Sequence, residues 1–158
     1  MPDEELGRLL AGKYLTFILA DEEYGVAIGR VREIIGMQDI TPVPQTAEFL
    51  SGVINLRGKV IPVVNLRSKF SLPFREADDR TCIIVLECDS ESGRQTIMGA
   101  VVDQVSEVVN VRSEELEKPP SFGVDLDMSY ILGIAKTGGA VKILLDTDQV
   151  LGDRRLVV

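Results

Sequence analysis

The sequence lacks histidine and tryptophan altogether and contains only two cysteines among its 158 residues. The absence of histidine excludes catalysis through imidazole and nearly excludes a zinc site. Cys82 and Cys88 lie on the same face of one extended run, where their sulfur atoms cannot readily meet, so both are interpreted as small buried residues. A chain of this length can bury most of its apolar surface without a metal or a disulfide. We therefore expect no metal site and no cofactor.

Long apolar runs and clustered positive charge are also missing. No run approaches the ~18 residues of a membrane span, and the stretch MPDEELGRLLAGKY has neither the basic nor the apolar region of a signal peptide. The net charge is −8 and the 17 basic residues are scattered, whereas a nucleic-acid binder needs a clustered positive surface. The sequence predicts a cytoplasmic protein that neither inserts into a membrane nor binds nucleic acid.

What the sequence does contain is a series of short runs rich in valine and isoleucine, separated by glycine, proline, aspartate and serine. Such runs are typical of β-strands. Helical patterns are few, at residues 29–35, 46–50, 66–70 and 147–151, and Pro119-Pro120 predicts a loop over residues 117–129. The strands are predicted at residues 13–20, 31–37, 52–56, 59–66, 81–88, 96–102, 105–111 and 140–146.

The two halves of the chain repeat each other. VREII at 31–35 matches VSEVV at 105–109 with an offset of 74, and the segment from Gly52 to Asn65 matches that from Gly133 to Asp146 with an offset of 81. Duplicated sequence indicates duplicated architecture, and a half of about 75 residues would not be robust with only its own core. We therefore predict a mainly β protein of two similar β-barrels of about five strands each, packed against each other, with few short helices.

The hairpin tip NLRGK, at residues 55–59, carries positive charges at Arg57 and Lys59. The second copy, KTGGA at 136–140, has uncharged residues at both of these positions. Gly58 supplies the positive φ of a tight turn, and Asn55 is a good turn-former. Two interpretations of Arg57 are open. It is a solvated turn residue, or it is a contact for another protein, because the flanking strands are almost uniformly apolar and Pro62 indicates an edge or a bulge.

The run VREII contains a second candidate. An ordinary half-buried strand is one interpretation. If Val31 and Glu33 face outward, however, they offer an apolar contact and a hydrogen-bond acceptor on one face.

Enzymatic interpretations find little support. LLDTD at 144–148 is similar to the apolar-apolar-Asp-Thr-Gly stretch of aspartic proteases, which need two carboxylates sharing a proton. Here Asp148 replaces the glycine, and the repeat has Asn65 in place of a second aspartate. A hydrolase using Asp146 is therefore kept as a remote alternative. Phosphate-loop, dinucleotide and Gly-x-Ser-x-Gly motifs are missing, so we expect a binding protein with no catalytic residues.

The stretch FLSGVINLRGKVIPVVNLRSKF, at residues 49–70, closely resembles the signature of the CheW-like family, the cytoplasmic adaptors of bacterial chemotaxis. The resemblance continues at residues 14–34, 97–111 and 130–151, although Asn65 stands where an aspartate is more usual. It implies one domain over residues 13–151 made of two pseudo-symmetric, five-stranded SH3-like barrels. The first would come mostly from residues 20–70 and the second mostly from 81–151, with possible strand exchange and with tails at 1–12 and 152–158.

The resemblance also implies partners. Family adaptors couple the cytoplasmic tips of transmembrane chemoreceptors to the CheW-like regulatory domain of the histidine kinase CheA, so recruitment to membrane receptor arrays is expected. An adaptor of a different chemosensory pathway, such as one for type IV pili, is the alternative. The implied receptor-binding residues are Val31, Glu33, Asn55, Arg57 and Gly58, with Val108 lining the same groove.

Overall fold

A computed structural model of the chain describes residues 2–89, 93–119 and 129–152. These residues form a mainly β structure with short helices, which confirms the predicted fold class. The helices are α1 (Pro2–Leu10), α2 (Leu66–Lys69) and α3 (Thr147–Leu151). The strands are β1 (Gly12–Leu19), β2 (Glu22–Ala27), β3 (Val31–Gly36), β4 (Leu50–Leu56), β5 (Lys59–Asn65), β6 (Cys82–Asp89), β7 (Gln95–Val102), β8 (Gln104–Val111), β9 (Leu116–Glu117), β10 (Ile131–Thr137) and β11 (Ala140–Leu145).

All eight predicted strands are present, as β1, β3 to β8 and β11, and each end lies within two residues of its prediction. Helices α2 and α3 were also predicted. The helical prediction at 46–50 is wrong, because that segment turns and its last residue, Leu50, already begins β4. In place of the helical pattern predicted at 29–35, the structure has one 3-10 turn at Ile28–Arg30, and the rest of the segment belongs to β3.

The strands form two sheets. One has the order β8-β1-β2-β11-β10-β9, and the other has the order β3-β6-β7-β5-β4. Each sheet therefore combines strands from both halves of the chain. The pairings that join the halves are β3 with β6 and β1 with β8, both antiparallel, and β5 with β7 and β2 with β11, both parallel. The proposed division of residues 13–151 into two barrels stays a prediction.

The repeat seen in the sequence has a structural counterpart. Hairpins β4–β5 and β10–β11 both shift register at a glycine, at Gly52 and Gly133, which are equivalent positions of the repeat. Each hairpin leads into a short helix capped by the equivalent residue. Asn65 caps α2 and accepts a hydrogen bond from the Ser68 amide at 3.3 Å, and Asp146 caps α3. The replacement of aspartate by asparagine thus preserves the cap.

Three apolar cores explain why so many strands are apolar on both faces. One side of β6 faces a core inside its own sheet through Ile83 and Val85, whereas Ile84 and Leu86 face a larger core that both sheets share. Since successive residues of a strand point to opposite faces, β6 must be apolar throughout. The shared core, which also includes Phe17 of β1, joins the two sheets.

Two ion pairs fasten α2 and α3 to the points where the chain crosses between the sheets. Arg67 of α2 binds Asp103, between β7 and β8, with Nε–Oδ1 and Nη2–Oδ2 distances of 2.7 Å. Asp148 of α3 binds Arg30, between β2 and β3, at 3.3 Å. Positions 67 and 148 are equivalent, since they keep the offset of 81. The helix therefore supplies the cation of the ion pair in the first copy and the anion in the second.

Helix α1 lies in the stretch expected to be a terminal tail. Its Leu10 packs against the core of the β8-containing sheet, and the Leu10 carbonyl accepts a hydrogen bond from the Tyr14 hydroxyl at 2.7 Å. Most of the predicted 117–129 loop and of the predicted tail at 152–158 lies outside the described residues.

Candidate partner-binding site

The β4–β5 hairpin holds Arg57 in an unusual backbone conformation. Leu56 and Lys59 pair across the turn, and the two residues between them have φ values of +51° for Arg57 and +87° for Gly58. The Asn55 side chain accepts a hydrogen bond from the Gly58 amide at 2.8 Å. Left-handed backbone is unfavourable for residues with a Cβ atom, and the second hairpin has Gly138 at the position of Arg57. An arginine at such a position indicates a use for its side chain.

The Arg57 side chain binds Glu33. Its Nη2 donates a hydrogen bond to Glu33 Oε2, which raises the pKa of the Arg57 guanidinium. The arginine side chain is 70% exposed and the glutamate side chain 31% exposed. An ion pair so open to water stabilises a fold very little. Its significance is that two residues from separate sequence motifs, on β3 and at the β4–β5 tip, meet on one surface.

This ion pair borders a pocket of about 240 Å³. The polar residues of its rim are Arg32, Glu33, Arg57 and Lys59, and apolar side chains from β4, β5, β6 and β7 supply the rest of the lining. Those apolar side chains are Leu56, Ile61, Val85 and Ile97.

The other predicted site residues lie differently. Val31 is half-buried and packs against the shared core. Val108 is 52% exposed but lies on β8 of the other sheet, opposite Leu15, and does not line the pocket. Asn55 and Gly58 shape the turn that carries Arg57.

Sequence reasoning missed part of the pocket. Lys59 is the last residue of the NLRGK tip, and its charge was a visible signal, but it was not among the predicted site residues. Val85 and Ile97 belong to the second half of the chain, and they reach the pocket because β6 and β7 join the sheet of β3 to β5. No local pattern in the sequence indicates that exchange.

Asp146, the residue of the hydrolase alternative, has a structural role. Its Oδ1 accepts hydrogen bonds from the amides of Asp148 at 3.1 Å and Gln149 at 3.3 Å, at the start of α3. Within residues 2–89, 93–119 and 129–152, no three His, Cys, Asp or Glu side chains cluster in a way that could hold a metal ion. The helices of the same residues are all too short or too polar to cross a membrane.

A two-sheet β protein with a charged hairpin tip beside a pocket of mixed charged and apolar lining, and with its candidate catalytic aspartate used as a helix cap, has the features of a protein-binding module. Comparison with known proteins identifies which one. Residues 13–155 match the model of the CheW-like domain. The chain belongs to this family, which confirms the resemblance seen in the sequence. Members of the family are scaffold proteins of chemotaxis and not enzymes, so the hydrolase alternative is wrong.

Individual relatives agree over most of the chain. The chemotaxis protein CheW of Klebsiella aerogenes is 34% identical over 152 residues, covering 96% of this chain and 89% of that protein. CheW of Bacillus subtilis is 35% identical over 141 residues, covering 88% of this chain and 86% of that protein. The crystal structure of the scaffolding protein TtCheW from Thermoanaerobacter tengcongensis has a TM-score of 0.79 and 34% identity, covering 94% of this chain and 100% of that one.

Proposed function

We propose that the chain is a cytoplasmic adaptor that couples transmembrane chemoreceptors to the histidine kinase CheA in membrane receptor arrays. The receptor tip binds at the surface around Arg57 and Glu33, and the CheW-like regulatory domain of CheA binds elsewhere on the same molecule. Family membership supports this function. The observation that carries the receptor site is Arg57, held in left-handed backbone and paired with Glu33 beside a pocket of mixed charged and apolar lining.

Coupling of this kind is reciprocal linkage between two binding surfaces. If receptor binding changes the affinity for the kinase, kinase binding must change the affinity for the receptor by the same factor. The shared core and the exchanged strands favour such transmission, because they hold the two sheets as one packed unit. Receptor state then biases kinase state through the geometry of the adaptor.

The test is binding to two probes, a soluble receptor fragment containing the cytoplasmic hairpin tip and a CheA fragment containing the regulatory domain. The wild-type chain should capture both in a pulldown. Truncation of a central arginine commonly weakens an interface by a factor of roughly thirty or more, so Arg57→Ala should lose that much receptor affinity by calorimetry. Its affinity for the CheA fragment should be unchanged.

Arg112→Ala is the matched control, because Arg112 is another ion-paired arginine of similar exposure, 65% against 70%. It should bind the receptor fragment as the wild type does. An Arg57→Ala variant with a native circular dichroism spectrum and unchanged receptor affinity would contradict the proposed site. Failure of the wild-type chain to capture either fragment would contradict the proposed function.

A further inference from the structure

The pocket beside Arg57 has an unequal charge balance. Its rim carries three cationic side chains, Arg32, Arg57 and Lys59, and one carboxylate, Glu33, on a chain whose net charge is −8. Two of the cations are already paired, Arg57 with Glu33 and Arg32 with Glu87. Lys59 has no hydrogen-bond or ion-pair partner within the described part of the chain, and it is exposed.

The repeat shows that this cation is not a requirement of the hairpin. Lys59 pairs with Leu56 across the β4–β5 turn, and Ala140 pairs with Thr137 at the equivalent position of the β10–β11 turn. Since alanine serves at the same register position in the same kind of turn, the lysine is not needed to close the hairpin.

The size of the pocket limits what can occupy it. At about 240 Å³ it is smaller than the ~300–1,000 Å³ of typical small-molecule sites. Half of its lining residues are apolar, Leu56, Ile61, Val85 and Ile97, and these offer a place for one apolar side chain from a protein surface. A side chain entering from a neighbouring helix would bring adjacent residues of that helix to the rim, where the free charge is positive.

We propose that Lys59 is a specificity-determining residue of this site. The pocket takes one apolar side chain from the helical tip of a chemoreceptor, and Lys59 pairs with a carboxylate that flanks this side chain on the receptor. The inference rests on the proposed function and adds to it the chemistry of the partner, an apolar residue with an acidic neighbour. Charge complementarity at a rim governs partner choice and association rate more than total affinity.

The experiment uses the full chain and the soluble receptor tip fragment, with calorimetry at low and at high salt. Lys59→Gln should weaken binding about threefold, and Lys59→Glu, which opposes the carboxylate with a like charge, about tenfold. Lys59→Glu should also reduce the salt dependence of the affinity, because attraction between exposed charges is screened by salt. Lys13→Glu makes the same change of charge at an exposed lysine of the other sheet and should leave the affinity within twofold.

A second measurement seeks the carboxylate directly. Each acidic residue of the receptor tip is changed to lysine in turn, and one of these variants should restore binding to the Lys59→Glu chain. The inference is overturned if Lys59→Glu binds like the wild type while Arg57→Ala binds more weakly, a result that leaves the proposed function standing. It is also overturned if Lys59→Glu weakens binding of the CheA fragment instead. Absence of receptor binding by the wild-type chain overturns both proposals.

Discussion

The two ion pairs that fasten α2 and α3 should contribute very differently to stability. The Arg67 and Asp103 side chains are 13% and 10% exposed, whereas those of Arg30 and Asp148 are 32% and 30% exposed. Asp103 Oδ2 also accepts a hydrogen bond from the Ala20 amide at 2.9 Å. We therefore choose Arg67→Ala as the perturbation and Arg30→Ala as its matched control at the equivalent junction.

The expected loss in free energy of unfolding depends on which contacts each substitution removes and how buried the remaining partner is. Arg67→Ala removes two hydrogen bonds to Asp103 and one, at 2.7 Å, to the Pro73 carbonyl. Breaking a buried charge pair by removing one partner costs about 3–5 kcal/mol. Partial exposure, the Ala20 amide and the Arg75 guanidinium, which lies 3.6 Å from Asp103 Oδ2, soften the loss, so we expect about 3 kcal/mol, the lower end of that range. Arg30→Ala breaks longer, more solvated contacts and should cost about 1 kcal/mol or less.

Urea unfolding followed by circular dichroism measures both values, since the chain has no tryptophan to report by fluorescence. Asp103→Ala and the double variant complete a cycle that isolates the pair, and we expect a coupling energy of about 2 kcal/mol. Equal losses for Arg67→Ala and Arg30→Ala, or a coupling energy below about 0.5 kcal/mol, would refute the reasoning.

The same pair predicts a pH dependence. Burial of the Asp103 carboxyl opposes its ionisation, but hydrogen bonds from Arg67 and the Ala20 amide outweigh burial and lower its pKa. A folded pKa below the unfolded value of about 3.9 means that the contribution to stability is complete above that value and is lost as the pH falls through the folded pKa. Unfolding curves of Asp103→Ala should therefore change less between pH 5 and pH 3 than those of the wild type.

Two further predictions concern the hairpin tip and the exchanged strands. Arg57→Gly copies the residue of the second hairpin and should keep or raise the thermal midpoint of unfolding, because glycine adopts left-handed backbone without strain. It should nevertheless weaken receptor binding as much as Arg57→Ala does. A clear loss of stability would contradict the assignment of strain. Proteolytic cleavage within the exposed segment 73–80 should leave the two halves bound to each other, because each sheet contains strands of both, and gel filtration in native buffer should show one species. Separate elution of the halves would show that the exchanged pairings do not hold them together.

Much of the fold could be predicted because the repeat and the valine-rich runs are local patterns. β2 was missed for a physical reason. Its sequence EEYGVA is short and acidic and has Gly25 in its middle, where a Cβ atom would come within 3.0 Å of the Leu144 side chain on β11. The glycine that weakens the strand signal thus leaves room for the Leu144 side chain of the neighbouring strand β11.

Helix α1 was missed for a similar reason. Gly7 interrupts a nine-residue helical pattern, and glycine lowers helix propensity. A Cβ atom at Gly7 would lie 2.6 Å from the Ser113 carbonyl oxygen, so the close packing that holds the helix requires the residue that hides it. In both cases a tertiary contact overrides the local preference.

The candidate site shows the same division between local and distant information. Arg57, Gly58 and Asn55 share one turn, and the sequence suffices to place them together. The partnership of Arg57 with Glu33 joins residues 24 positions apart, and the floor of the pocket requires strands from the other half of the chain. The order of strands in the sheet brings these residues together, and no local sequence pattern indicates that order.

The duplication within one chain also determines how many copies of a surface patch the molecule carries. A symmetric dimer of identical chains carries every surface patch twice, because its two-fold axis copies each one. Here both copies of the repeat lie in a single polypeptide, so each position could change without its twin. The arginine-bearing tip has a counterpart of Gly138-Gly139 and is present once per molecule. A duplicated fold can therefore carry a single, monovalent binding point, with no second copy at the Gly138-Gly139 hairpin.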